Sequence, residues 1–98
     1  MNAELQLTAD LFEPLVGSMV TSVCDSHEEL WRVTKVDRRA SHSLREAPFN
    51  LYFDAPVTPQ NRAQGIRRAR LPSGEEFDFF VVPIAASANE ISLEAIFN

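Results

Sequence analysis

The chain predicts a small all-β barrel or roll, and three observations predict it. Short runs rich in Val, Thr, Phe and Trp recur between turn-forming residues. Two of those runs alternate apolar and polar side chains, and no stretch sustains a long 3.6-residue period. At 98 residues the chain suits one domain, able to bury roughly two thirds of its unfolded surface.

The first element is a short helix over about residues 8–16. Thr8 can cap it and Asp10 suits the positive first turn. Pro14 limits it to one or two turns, with Leu11, Phe12, Leu15 and Val16 packing inward and Gly17 ending it. Strands come next over about 18–24 and 29–37, separated by the turn Asp25-Ser26-His27. A third, over about 48–54, places Phe49, Leu51 and Phe53 on one face. The last, over about 90–97, turns Ile91, Leu93, Ala95 and Phe97 inward and Ser92 and Glu94 outward. Longer surface loops are expected between Arg38 and Pro48 and between Ala55 and Gln64.

Strands over about 64–71 and 75–84 flank Leu71-Pro72-Ser73-Gly74-Glu75. Pro suits the second position of a type I turn, and Gly supplies the left-handed residue of a three-residue hairpin loop. If Leu71 pairs with Glu75, Arg70 faces Glu76, Arg68 faces Asp78 and Ile66 faces Phe80. Opposed unlike charges of this kind support a pair by about 0.2–1 kcal/mol each. On the other face Ala69 meets Phe77 and Arg67 meets Phe79. The second strand of this hairpin is apolar on both faces, because Phe77, Phe79 and Val81 alternate with Phe80, Val82 and Ile84. Its outer face needs cover from the helix, from barrel closure or from another subunit.

Composition closes off several function classes. The single cysteine, Cys24, rules out an intrachain disulfide and a four-cysteine zinc site, and it suits a small core position. The start lacks a basic region followed by an apolar one, and the longest apolar run, Phe79–Ala86, is far too short to span a membrane. A cytoplasmic, soluble protein is expected, with no membrane partner. Asp25-Ser26-His27 has the residue types of a nucleophilic triad, but neighbours in one turn cannot converge, and an Asx-type turn explains them. His27, His42 and Cys24 match no ligand spacing. Glu28-Glu29 and Glu75-Glu76 read as solubilising turn acids, since adjacent strand residues point to opposite faces. Gly17, Gly65 and Gly74 are isolated, so no phosphate loop exists. No catalytic residue, cofactor, metal or small-molecule substrate is expected.

The net charge of −5 conceals an uneven distribution. Residues 1–31 hold six acids and no base, residues 32–70 hold all nine bases with three acids, and residues 71–98 hold five acids and no base. Eight of the nine bases are Arg, which favours planar, paired or stacked cations over loosely solvated ones.

Five segments, Phe12-Glu-Pro-Leu-Val-Gly17, Ala47-Pro-Phe-Asn-Leu-Tyr-Phe53, Gln64-Gly65 with Pro72-Ser-Gly74, Phe79-Phe-Val-Val-Pro-Ile84 and Glu94-Ala-Ile-Phe-Asn98, carry a resemblance across nearly the whole chain. In order and spacing the chain resembles a family of small uncharacterised bacterial β domains, found alone or beside phage tail-collar-type proteins. Arg67, Arg68 and the loop Arg38–Ser43 depart from it. The resemblance implies a compact β domain and an accessory or structural role in a tail-like assembly. It supplies no catalytic residues to carry over.

The functional expectation is therefore a non-enzymatic structural or adaptor domain acting through protein–protein contacts, a second copy of the chain being one candidate partner. Arg38, Arg39, Arg45, Arg62, Arg67, Tyr52 and Phe80 are the expected contact residues, with Arg38, Arg39, Arg45 and Arg62 expected to stay unpaired. The alternative is a small barrel binding single-stranded nucleic acid, with the arginines as a basic groove and Tyr52 as a stacking platform. The acidic ends and the predicted pairing of Arg68 and Arg70 weigh against it.

Overall fold

The computed structural model of the chain describes residues 7–24, 27–39 and 48–97. Among them, a short helix α1 (Ala9–Phe12) leads through a single 3-10 turn (Glu13–Leu15) into six strands. These are β1 (Met19–Cys24), β2 (His27–Arg38), β3 (Phe49–Pro56), β4 (Gly65–Arg70), β5 (Glu76–Ala86) and β6 (Glu90–Phe97). They pair antiparallel in the order β1-β2-β3-β6-β5-β4, and β4 returns to β1, so the barrel closes. Closure removes most of the open sheet edge that would invite uncontrolled pairing, leaving the end of β5 beyond Val81 paired, among the described residues, only with β6.

Helix α1 and the 3-10 turn after it keep to the one or two turns that the sequence predicts. The Thr8 hydroxyl accepts a hydrogen bond from the Leu11 amide at 3.2 Å, but Pro14 tightens the next residues into the 3-10 turn. Val16 then extends and is 45% exposed instead of packing inward. Gly17 ends the element as expected, with its amide donating to the Val33 carbonyl at 2.7 Å. Phe12 is fully buried and touches Phe49, Phe77 and Phe97, so α1 stoppers one end of the barrel. A second aromatic group, Trp31, Phe53 and Phe79, fills the interior further along. Phe77 and Phe79, 5.0 Å apart, join the two.

The β4–β5 register is the one the turn and charges predict: Arg70 opposes Glu76, Arg68 opposes Asp78, Ile66 opposes Phe80, and Arg67 and Ala69 oppose Phe79 and Phe77. Gly74 sits at φ +96°, the left-handed conformation the loop demands, and the Leu71 amide donates to the Glu75 carbonyl at 2.8 Å. β3 runs two residues further than expected, through Ala55 and Pro56. Along β5 the inner residues Phe77, Phe79 and Val81 are buried. The outer Phe80 and Ile84 remain 47% and 51% exposed, so nothing among the described residues covers that face.

Candidate functional site

Opposite the helical stopper, the segment between β3 and β4 folds over the barrel mouth and is clamped there by two buried polar side chains. Asn61 is fully buried. Its amide donates to the Glu29 carboxylate at 2.7 Å and to the Pro56 carbonyl at 2.8 Å, while its own backbone N–H donates to the Thr58 hydroxyl at 3.1 Å. Glu29 also accepts from the Trp31 indole N–H at 2.7 Å and lies 3.5 Å from the His27 imidazole. The second clamp is Arg67. Strand parity turns it inward, and its guanidinium donates to the carbonyls of Gln60 at 2.6 Å, Ala63 at 2.9 Å and Ile66 at 2.9 Å. Gly65 makes room, since a Cβ there would lie 2.9 Å from Arg67 Nη1. Asn61 Oδ1 and Arg67 Nε are buried without partners among the described residues. Leaving such atoms unpaired costs about 1–3 kcal/mol each, so the clamp is held at a cost in stability.

Between the clamped residues Asn61 and Ala63 stands Arg62, whose side chain faces outward into a cleft of about 250 Å³. Pro83, Ile84, Ala85 and Ala86 of β5 line it, with buried Ile91 at its floor. β4 leaves β5 at the pair Gly65–Val81, whereas β5 continues to Ala86, paired from there only with β6. Pro83 and the register shift between Pro83 and Ala85 interrupt regular pairing along this stretch. The cleft therefore combines an exposed apolar strand with one guanidinium on a fixed loop.

A second feature lies on the outer face. Ile66 opposes Phe80, and Ile96 comes directly after Ala95, the partner of Val81, so the ladder sets Ile66, Phe80 and Ile96 in one row across β4, β5 and β6. They are 64%, 47% and 50% exposed. Val82, partly buried, continues the apolar face along β5.

Most of the expected contact arginines are engaged within the chain. Arg38 is not unpaired: its guanidinium donates to Glu13 at 2.6 Å and also to Asp10, which holds it still more firmly protonated than an ordinary arginine. Nor is Arg39, which donates to the Phe97 carbonyl at 2.6 Å. These partners lie 25 or more residues away in the chain, beyond any local pattern. Arg67 is not a surface contact but the buried clamp of the barrel mouth. Arg45 lies outside the described residues, as do His42, the turn residues Asp25 and Ser26, and the side chain of Cys24. Tyr52 is half-buried, and its hydroxyl, bonded by Asn50, donates to Glu94 at 2.8 Å; the bond from Asn50 would lower its pKa, but Glu94 and burial outweigh it and hold the phenol protonated to higher pH than usual. The Lys35 ammonium sits 5.7 Å from the centre of its ring. Phe80 is exposed, and Arg62 is the one described arginine with no acidic or carbonyl partner for its side chain among the described residues.

Outside the expected set, the structure brings in Asn61 and Glu29. Glu29 is not a solubilising turn acid; its side chain is 11% exposed and joins β2 to the loop. Thr58-Pro-Gln-Asn61 carries the turn chemistry that signals such a loop, but nothing in it signals that the loop closes the barrel mouth. Arg32 binds Asp54 at 2.9 Å and Glu90 at 3.2 Å, Arg68 binds Asp78 at 2.8 Å, and Arg70 bridges Glu28 at 2.9 Å and Glu76 at 3.1 Å. The hydrogen bond from Arg68 holds the Asp78 carboxyl below the usual range. No helix among the described residues is long and apolar enough to cross a membrane.

A family model described as Domain of unknown function (DUF6916) matches residues 7–97. No curated protein and no solved structure matches the chain.

Proposed function

The chain belongs to that family, and we propose that it is a non-enzymatic structural or adaptor domain, gripping partners through protein–protein contacts on the outer face of its barrel. The observation that carries this reading is the exposed row Ile66–Phe80–Ile96. Three large apolar side chains in line on a closed, rigid ladder form the kind of surface that contact interfaces use, and aromatic residues are enriched in such interfaces. Elsewhere the outer face carries mutually paired Arg, Asp and Glu side chains as well as single exposed apolar residues such as Leu30 and Met19. In its finer form the reading makes the domain an accessory of a phage tail-like assembly, working in the bacterial cytoplasm or built into the particle. Support for that form is the sequence resemblance alone.

The nucleic-acid alternative depends on arginines free to meet phosphates. Arg32, Arg38, Arg68 and Arg70 would each have to leave a carboxylate, and Arg67 would have to leave the barrel interior. No observation favours it over the protein-contact reading.

The test is a photo-reactive phenylalanine analogue placed at position 80, with Leu30 as the control position. Leu30 is 56% exposed but belongs to β2, away from the row. Irradiation in the source cell should give a discrete protein adduct from position 80 and none from position 30. No adduct at position 80, or the same adducts from both positions, would overturn the proposal.

A further inference from the structure

We propose that the cleft beside Arg62 is a docking groove for an extended segment of a protein partner that carries a carboxylate side chain next to an apolar one. The inference rests on the adaptor reading and names the partner chemistry for one part of the surface. Arg62 takes the carboxylate, and the exposed Ile84, with Ala85 and Ala86, takes the apolar neighbour.

Three observations converge on this occupant. The first is charge. The described arginines other than Arg62 all meet a carboxylate or a backbone carbonyl inside the chain, so the described arginine left for an external acid is the one lining the cleft. The second is preorganisation. Asn61 and Arg67 fix the backbone at residues 60, 61 and 63, so residue 62 is presented from a clamped segment, and binding there orders little more than one side chain. The third is shape. From Val82 to Ala86, β5 has no strand among the described residues beside it on the β4 side, a five-residue track that suits an extended chain better than a compact molecule. Pro83 lacks an N–H and the ladder shifts register at this point, so recognition falls on side chains instead of a full added strand. An arginine fork meeting a carboxylate supplies both attraction and orientation.

The test titrates isotope-labelled full-length protein with the blocked peptide Ac-Ala-Val-Glu-Val-Ala-amide. Its Gln counterpart and isovalerate, a small apolar carboxylate, serve as comparison ligands. The expected result is saturable shifts at Ile84, Ala85, Ala86 and residues 60–63, with binding weakened about tenfold or more by Arg62→Gln and by the Gln peptide. Arg62→Lys, which keeps the charge and loses the fork, should fall between. Arg62 is exposed, so these variants keep the native spectrum elsewhere. Absence of saturable shifts, or equal binding by the Gln peptide or by Arg62→Gln, overturns the proposal. Isovalerate binding as tightly as the peptide would overturn it in favour of a small-carboxylate site. The same shifts on raising protein concentration alone would overturn it in favour of a second copy of the chain. The adaptor reading is separable: if the peptide fails while position 80 still cross-links, the groove assignment falls and the adaptor reading stands.

Discussion

Arg62 and Arg67 are five positions apart, and the barrel gives them opposite work. Arg67 faces Phe79 on the inner side of the ladder and donates to three carbonyls; Arg62 projects from the segment that those bonds hold. Arg67→Met should therefore lower stability by about 1–3 kcal/mol, because buried carbonyls lose their donors. Hydrogen exchange at residues 58–64 should speed up with it. Arg62→Gln should change stability by no more than about 0.5 kcal/mol in the same denaturant titration. Equal losses from the two would contradict this division of roles. Asp78 offers a pH test. The hydrogen bond from Arg68 lowers its pKa, so the unfolded chain binds that proton more readily than the folded one. Its contribution to stability is complete above the ordinary aspartate range and is lost as pH falls through the lower folded value. In Arg68→Gln the Asp78 carboxyl, tracked by NMR, should titrate at higher pH than in the parent; an unchanged midpoint would mean the pair is not formed in solution.

At the scale of elements, β5 separates core from surface at every second residue from Glu76 to Val81. Phe79→Ala should cost about 3–5 kcal/mol, since it opens a hole beside Trp31 and Phe53. Phe80→Ser, one position on, should stay within about 0.5 kcal/mol by the same denaturant midpoint. The β4–β5 hairpin should lose about 1 kcal/mol on Gly74→Ala, because φ +96° strains any residue with a Cβ. This hairpin is legible in the sequence because the turn residues and the opposed charges fix the same register independently. The alternation of Phe49, Leu51 and Phe53 likewise places β3. Less legible is the segment over the barrel mouth. Parity alone sets Arg67 inward opposite Phe79, but a cation reads as surface unless one knows that Gln60 and Ala63 will bring carbonyls to it. Arg38 and Arg39 read as free for a related reason: their partners are remote in sequence and meet them only when the barrel closes.

Over the whole molecule, the segregated charge resolves into a closure device. The basic middle of the chain is neutralised by both acidic ends: Arg38 by Asp10 and Glu13, Arg32 by Glu90, and Arg70 by Glu28 and Glu76. Each exposed pair is worth little alone, but together they tie both ends of the chain to its middle. Beside exposed Val16, Met19 and Leu30, the outward surface left unmatched by that pairing includes two features along β4, β5 and β6: the row Ile66–Phe80–Ile96, and the Arg62 cleft where β5 runs on past β4. Partners are expected to bind there. The chain's four isoleucines, Ile66, Ile84, Ile91 and Ile96, make a direct reporter set. Three are exposed on the proposed surface and Ile91 is buried. The measurement is a methyl spectrum of isoleucine-labelled protein, with the Met19 methyl as a remote surface control, in source-cell lysate against buffer. Partner binding on this surface predicts selective broadening or shifts at Ile66, Ile84 and Ile96, with Met19 sharp. Uniform broadening of all the methyls, or changes confined to Met19, would contradict it.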